Sequence, residues 1–189
     1  MFDFGYVFRV IALNWRSKSK VQVKDLFSEF ILPGRCWIND LDINWHMNNS
    51  RYLRECDFGR IDWLMKTGFW NAMLETRKSN VKDLNLVVSS CQAQFRRSIE
   101  LGDRFKIYTR LCGWDDRALY MEQWMVTDKD NQIAFALLVR IALTSRSVTP
   151  QMLIDALQLG AIQSPELSET MKKFKENHQI SSSGVKAKL

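Results

Sequence analysis

The sequence lacks the features that identify several large classes of protein. Its four cysteines lie far apart, they form no Cys-x-x-Cys pair, and no signal peptide is recognisable. Histidine occurs only twice, so a zinc site has few candidate ligands. These absences predict an intracellular protein, cytoplasmic or peripheral on a membrane and not secreted. They give no reason to expect a metal or another cofactor.

The apolar run at the start of the chain is short. Residues 1–13 are largely apolar but include two charged side chains, whereas a membrane-spanning helix needs about 20 apolar residues. A basic run around Lys18 follows. Two interpretations stay open: a segment packed on the domain or a partner, or a peripheral membrane contact through residues 1–20.

The charge pattern also excludes one large class. The chain has 189 residues and a formal net charge of +6, with much of the excess near its ends. No stripe of arginine or lysine is interleaved with aromatic residues, so a nucleic-acid partner is not expected. A hydrophobic content of 46% fits a soluble globular protein, and seven Trp and eleven Phe suit a thick core or an apolar ligand tunnel.

Polar residues are concentrated between an apolar, strand-like run and the strongest helical pattern of the sequence. Two acids, a histidine and three asparagines occur there within ten residues: Asp40, Asp42, Asn44, His46, Asn48 and Asn49. Asn48 or Asn49 can cap the helix that follows, because a short side-chain oxygen accepts free N–H groups of the first turn. We therefore interpret residues 40–52 as the functional site.

The patterning predicts one central helix, one sheet and helices at the end. A short helical lead-in within 21–30 and a strand at 35–38 precede a helix over 52–65, which ends by Gly68. Gly59 lies inside this helix, and its presence suggests the close approach of another backbone. A polar connector over 76–83 follows.

Four strands then follow in succession, and the turns between them predict an antiparallel meander. The predicted strands cover residues 86–97, 104–112, 119–126 and 133–143. Helices over 151–159 and 166–175 follow, and residues 177–189 have the composition of a disordered tail. We divide the chain into an N-terminal segment (1–24), a central α+β domain (25–145), C-terminal helices (146–176) and this tail.

This order of elements, with the pattern Asp-x-x-x-His-x-Asn-Asn-x-x-Tyr at 42–52, resembles the hotdog fold of acyl thioesterases. Within that superfamily, Leu-Cys-Gly-Trp-Asp-Asp-Arg-Ala at 111–118 is most similar to thioesterase superfamily member 6 and its relatives. The resemblance implies an α+β hotdog fold, in which a curved antiparallel sheet wraps a long central helix. It also implies a homodimer or a higher homo-oligomer.

The resemblance assigns roles to the polar cluster. Asp42 would act as nucleophile or general base, aided by Asn44 and His46. Substrate contacts would come from the N–H groups around Asn48 and Asn49, from Tyr52 in the pocket wall, and from Arg96 and Arg97 at coenzyme A phosphates. Taken singly, each residue has a structural alternative, such as Asp42 closing a turn or His46 making a hydrogen bond.

One expected residue is missing. Plant acyl-carrier-protein thioesterases of this fold also use a Glu on the following strand, where this chain has Ser98, with Glu100 two residues later. We therefore expect an acyl-CoA thioesterase-like hydrolase that hydrolyses or binds fatty acyl thioesters. A non-catalytic lipid-binding or scaffold protein with the same fold is the alternative.

Overall fold

The computed structural model of the chain describes residues 4–18, 25–79, 81 and 83–186. Helices flank a single antiparallel sheet, so the predicted α+β class is confirmed. In chain order the elements are α1 (Phe4–Lys18), β1 (Phe30–Arg35), a 3-10 helix (Ile38–Asp40), α2 (Asn49–Lys66), α3 (Phe69–Lys78), β2 (Leu86–Phe95), β3 (Arg104–Trp114), β4 (Ala118–Thr127), β5 (Ile133–Leu143), α4 (Pro150–Asp155) and α5 (Glu169–Lys186).

The sheet has the strand order β1-β3-β4-β5-β2, with antiparallel neighbours throughout. Burial alternates along β3, β4 and β5, as expected of strands with one face on the core. The predicted meander is correct for these three strands and wrong for β2, which pairs with β5 at the far edge. Local alternation predicts that a strand exists, but it does not choose the strand's neighbour.

The central helix α2 supplies the inner layer of the core. Its fully buried Trp63 meets Phe30 of β1 edge-on at 6.4 Å, and its buried Phe58 belongs to the same core. Burial of such a side chain contributes about 1.5–3 kcal/mol. A Cβ added at Gly59 would lie 2.7 Å from Thr109 Oγ1 and 3.0 Å from Gln123 Nε2. The predicted close approach at Gly59 is therefore present, but the neighbours are side chains of the chain's own sheet.

The N-terminal segment forms a helix that was not predicted, and this helix packs on α2. The rings of Tyr6 and Phe58 lie 5.0 Å apart, and Arg9 Nη1 lies 2.6 Å from Glu55 Oε1. Packing on the domain, one of the two interpretations of this segment, is thus observed. No helix in the described ranges is long and apolar enough to cross a membrane.

Several element boundaries differ from the predictions. The first strand covers Phe30–Arg35 rather than residues 35–38, and it tolerates Pro33 because it lies at a sheet edge. A turn replaces the predicted lead-in helix from residue 25 onward, and residues 21–24 lie outside the described ranges. Gly68 follows the end of α2 with a φ of +80°, but α3, which was not predicted, begins directly after it.

The first C-terminal helix, α4, begins at Pro150 as predicted but ends at Asp155 rather than at residue 159. The second, α5, begins at Glu169 rather than at the predicted residue 166. It continues to Lys186, well past the predicted end at residue 175 and into the segment predicted as a disordered tail. Its Met171 and Phe174 pack with Tyr120 in a second apolar cluster. Because Tyr120 alternates with the core-facing residues of β4, α5 covers the sheet face opposite to α2.

Candidate active site

Asp42, Asn44 and His46 lie in one tight loop between the 3-10 helix and α2. The N–H of Asp42 donates to the carbonyl of His46 at 2.9 Å, and Leu41 and Met47 form an antiparallel bridge beside it. The carboxylate of Asp42 accepts the backbone N–H of Asn44 at 2.8 Å. The loop itself thus holds the carboxylate, which is 26% exposed.

Trp45, at the tip of this loop, has an unusual backbone conformation. Its φ is +63°, in the left-handed region that bulky residues rarely adopt and that costs about 1–3 kcal/mol. The indole is 71% exposed, so burial of the side chain does not offset this strain. Strain of this kind often marks functional sites, which supports the interpretation of the loop.

His46 lies beside Asp42 without a direct hydrogen bond. Its Nδ1 is 3.8 Å from Asp42 Oδ1, beyond hydrogen-bond reach. Its backbone pairs with that of Glu100 in an isolated bridge. The imidazole is 42% exposed and can therefore meet a bound molecule. The structure brings Asp42 and His46 together, whereas Asn44 contributes its backbone and has an exposed side chain.

The N-terminus of α2 lies next to this loop. Asn48 is the N-cap, and its Oδ1 accepts the N–H of Ser50 at 2.9 Å. The N–H of Asn48 is occupied, because it donates to the carbonyl of Asp40 at 2.8 Å. Among the described residues the N–H of Asn49 has no acceptor, as expected at the start of a helix. Asn49 thus presents a free donor at the positive end of the helix dipole.

Tyr52 braces α2 against the segment that follows β2. Its hydroxyl accepts the N–H of Ile99 at 3.1 Å and donates to the carbonyl of Arg97 at 3.2 Å. The side chain is 2% exposed, and its ring meets Phe95 edge-on at 5.5 Å. Burial raises the pKa of Tyr52, so the phenol remains neutral. In this arrangement Tyr52 is part of the core.

Arg96 and Arg97 lie on the exposed surface of the same segment. Arg96 Nη2 donates to the side chain of Gln94 at 3.0 Å, and Arg97 Nη1 is 3.6 Å from a carboxylate oxygen of Asp130. The backbone N–H groups of both arginines donate to one carbonyl of β5. Both guanidinium groups remain accessible, but neither contacts Asp42.

The position of the expected glutamate holds an exposed serine, Ser98. Glu100 is opposite His46 in the backbone pairing, yet its carboxylate lies 3.5 Å from Lys129 Nζ and is 63% exposed. The side chain of Glu100 therefore points toward Lys129. It does not replace the missing glutamate in this arrangement.

The sequence did not indicate a large cavity beside the site loop. It has a volume of about 1150 Å³, and its wall includes Asn39 and Asp40 from the 3-10 helix and several arginines. Asp40 has a structural role, because its carboxylate accepts hydrogen bonds from Arg54 at 2.5 Å and from the N–H of Trp37 at 2.9 Å. Arg51 and Arg54 lie in the first turns of α2. Their closeness to the polar cluster was the only feature of the sequence that could have pointed to this cavity.

The Gly-Trp-Asp-Asp-Arg-Ala motif attaches the C-terminal helices to the sheet. Asp115 accepts the N–H of Arg117 at 2.9 Å and the hydroxyl of Tyr120 at 2.8 Å, and it lies 2.8 Å from Lys175 of α5. Burial alone would raise the pKa of Asp115, but the hydrogen bonds from Lys175, Arg117 and Tyr120 together lower it. In this arrangement the motif has a structural role.

Comparison with known proteins identifies the family of this chain. A family model described as the thioesterase-like superfamily matches residues 36–173. The chain belongs to this superfamily. Protein THEM6 from Xenopus laevis is 33% identical over 187 residues, which cover 99% of this chain and 86% of that protein. Protein THEM6 from Danio rerio is 30% identical over 186 residues, covering 98% and 88%. The resemblance to thioesterase superfamily member 6 is confirmed.

Solved structures of thioesterases share the fold of this superfamily member. A probable thioesterase from Bartonella henselae aligns with a TM-score of 0.54 at 20% identity, covering 75% of this chain and all of that one. A 1,4-dihydroxy-2-naphthoyl-CoA thioesterase from Synechocystis aligns with a TM-score of 0.56 at 14% identity, covering 69% and 96%. At these identities the likeness shows the fold, and the predicted hotdog fold is confirmed.

Proposed function

We propose that this thioesterase-like protein hydrolyses fatty acyl thioesters, with coenzyme A as the carrier. One observation carries the proposal: the Asp42 carboxylate is held by its own loop beside the N-terminus of α2. A thioester needs a base or nucleophile next to a donor for the developing oxyanion. The loop that holds Asp42 leads directly into the N-terminus of α2, which supports this arrangement.

The chemistry assigned to these groups is simple. As general base, Asp42 takes a proton from water while the water oxygen attacks the carbonyl carbon. The N–H of Asn49 donates to the oxyanion, and collapse of the tetrahedral intermediate breaks the C–S bond and releases the thiol. His46, 3.8 Å from the carboxylate, orients the water or returns the proton to sulfur. Asp42 as nucleophile would instead form an anhydride that water then cleaves.

The test is hydrolysis of acyl-CoAs of different chain length by the purified protein and by Asp42→Asn. We expect the substitution to lower kcat by about 10²–10⁴ while the protein still binds the acyl-CoA. The matched control is Asp116→Asn, an exposed aspartate elsewhere on the surface. Equal turnover in Asp42→Asn and wild type would remove Asp42 from the mechanism.

The alternative is a non-catalytic acyl-thioester-binding or scaffold protein. Two observations favour it: Ser98 occupies the position of the expected glutamate, and the carboxylate of Glu100 is engaged with Lys129. Saturable binding of a long-chain acyl-CoA by the wild type, with no release of thiol, would establish this alternative.

We also propose a homodimer that forms along β2. This strand is a sheet edge, and its exposed residues include Val87, Val88 and Phe95 at 44–49%. A long, exposed edge with apolar side chains is a template for pairing with another strand. Phe95 contacts Tyr52, so a second copy would lie near the site loop. Val87→Lys should give a monomer in sedimentation velocity, and an unchanged mass would exclude this surface.

Peripheral membrane contact is a further part of the proposal, and it concerns the outer face of α1. Val7, Phe8, Ile11 and Trp15 are 38–83% exposed and recur at helical spacing on this helix. We infer that this face rests on a membrane surface, in an intracellular location. Phe8→Glu should abolish flotation with anionic vesicles, and flotation equal to wild type would reject the contact.

A further inference from the structure

Arginines dominate the wall of the large cavity between α1, β1 and the start of α2. Its volume is about 1150 Å³, and the described residues of its lining include five arginines and one acid. The arginines come from four separate elements: Arg9 from α1, Arg35 from β1, Arg51 and Arg54 from α2, and Arg104 from β3. The fold thus gathers cationic groups that are distant in the sequence.

Three of these arginines are held in fixed positions. Arg9 Nη1 lies 2.6 Å from Glu55 Oε1, and Arg54 Nη2 lies 2.5 Å from Asp40 Oδ1. Arg35 donates through Nε to a backbone carbonyl at 3.1 Å. Among the described residues, Arg9 and Arg54 are the two cavity arginines paired with acids, so the described part of the wall carries a net positive charge. Groups held in place before binding lose little conformational freedom when a ligand arrives.

Two features of this wall are unfavourable without an anion. Arg35 and Arg104 are direct partners in the antiparallel register of β1 and β3, and like charges directly opposite each other destabilise a sheet. Arg51 lies in the first turn of α2, which contains no acid, at the positive end of the helix dipole. In the described structure, the guanidinium groups of Arg51 and Arg104 have no side-chain acceptor of their own.

An anion between these groups removes both unfavourable features. A guanidinium fork matches phosphate oxygens bidentately, and several forks around one cavity suit a ligand with more than one phosphate charge. We propose that this cavity binds the phosphate groups of a phosphorylated ligand, with Arg35, Arg51 and Arg104 as direct contacts. The site is independent of the proposed hydrolysis, because Asp42 is not part of the described cavity wall.

Nucleotides and phospholipid headgroups share the required chemistry, and the experiment separates them. The full chain is titrated in a calorimeter with adenosine 3′,5′-bisphosphate, and its flotation is measured with phosphatidylcholine vesicles with and without phosphatidic acid. The variant is Arg35→Gln/Arg104→Gln. The control is Arg146→Gln, an exposed arginine elsewhere. Binding of the bisphosphate assigns a nucleotide-type ligand, whereas binding of only the phosphatidic acid vesicles assigns a lipid headgroup.

The expected loss follows from the two contacts removed. Each charge-assisted contact is worth about tenfold in affinity, so the double variant should bind about a hundredfold more weakly while the control binds as wild type. Arg51→Gln, which changes no strand pairing, should lose about tenfold and guards against a folding defect. Failure of both probes to bind, or equal binding by the double variant and wild type, overturns the proposal.

Discussion

Gly59→Ala tests how closely α2 approaches the sheet. Alanine is the better helix former by about 1 kcal/mol, so an exposed site would gain stability. Here the added Cβ would lie 2.7 Å from Thr109 Oγ1 and 3.0 Å from Gln123 Nε2. That amide donates to Cys56 C=O at 2.8 Å and to Thr109 Oγ1 at 2.9 Å, both buried bonds. Overpacking costs about 1–3 kcal/mol, and disturbing a buried hydrogen bond costs a similar amount.

The net expectation is a loss of about 1–3 kcal/mol in the free energy of unfolding. In urea the midpoint should fall at constant slope, and Tm should fall by about 2–4 °C per kcal/mol. Gly184→Ala is the control, because a Cβ there meets nothing within 4 Å and should leave stability equal or higher. If Gly59→Ala changes the free energy of unfolding no more than this control does, the inference of a tight contact between α2 and the sheet is wrong.

Three further predictions concern capping, acid stability and thiol exposure. Asn48→Ala should lower the free energy of unfolding by about 1 kcal/mol in urea denaturation. The control is Asn49→Ala, which removes no capping hydrogen bond, and an equal loss in both variants would show that Asn48 does not stabilise the helix as its cap. The pKa of Asp115 lies below its ordinary 3.8 because the hydrogen bonds that it accepts outweigh burial. The ionised Asp115 carboxylate therefore stabilises the fold above about pH 4, and this stabilisation is lost as the pH falls through the lowered pKa. The stability of Asp115→Asn, followed by circular dichroism, should therefore depend less steeply on pH in acid. The exposed Cys91 should react with a maleimide well before the buried Cys56, because burial raises the pKa of the Cys56 thiol to about 12. Mass spectrometry of the native protein gives the order of modification. Equal rates at the two cysteines would contradict the burial of Cys56.

Patterns confined to neighbouring residues were readable from the sequence. The strand-like runs over 104–112, 119–126 and 133–143, separated by turns, predicted β3, β4 and β5, and the apolar spacing over 52–65 predicted α2. The polar cluster led to the interpretation of residues 40–52 as the functional site, and in the structure this loop places Asp42 beside His46. Each of these signals acts within one element or one turn.

Features that depend on pairing between distant segments were not readable. Arg35 and Arg104 are neighbours only because β1 takes its place beside β3, and no local pattern fixes that choice. The same holds for β2, placed beside β5 rather than β3. The helix α5 was underestimated because its serine-rich end has low helix propensity, while Met171 and Phe174 attach it to the outer face of the sheet.

The strand order has a consequence for how the chain reaches its native state. β2 emerges from the ribosome before β3, yet its partner β5 is synthesised only after two intervening strands. During synthesis the apolar side of α2 therefore stays exposed, and the backbone groups of β2 stay unpaired, until Leu143 has emerged from the ribosome. Pairings between such distant segments give a high contact order, which slows folding and exposes intermediates to aggregation. Chains truncated before β5 should depend on chaperones to stay in solution.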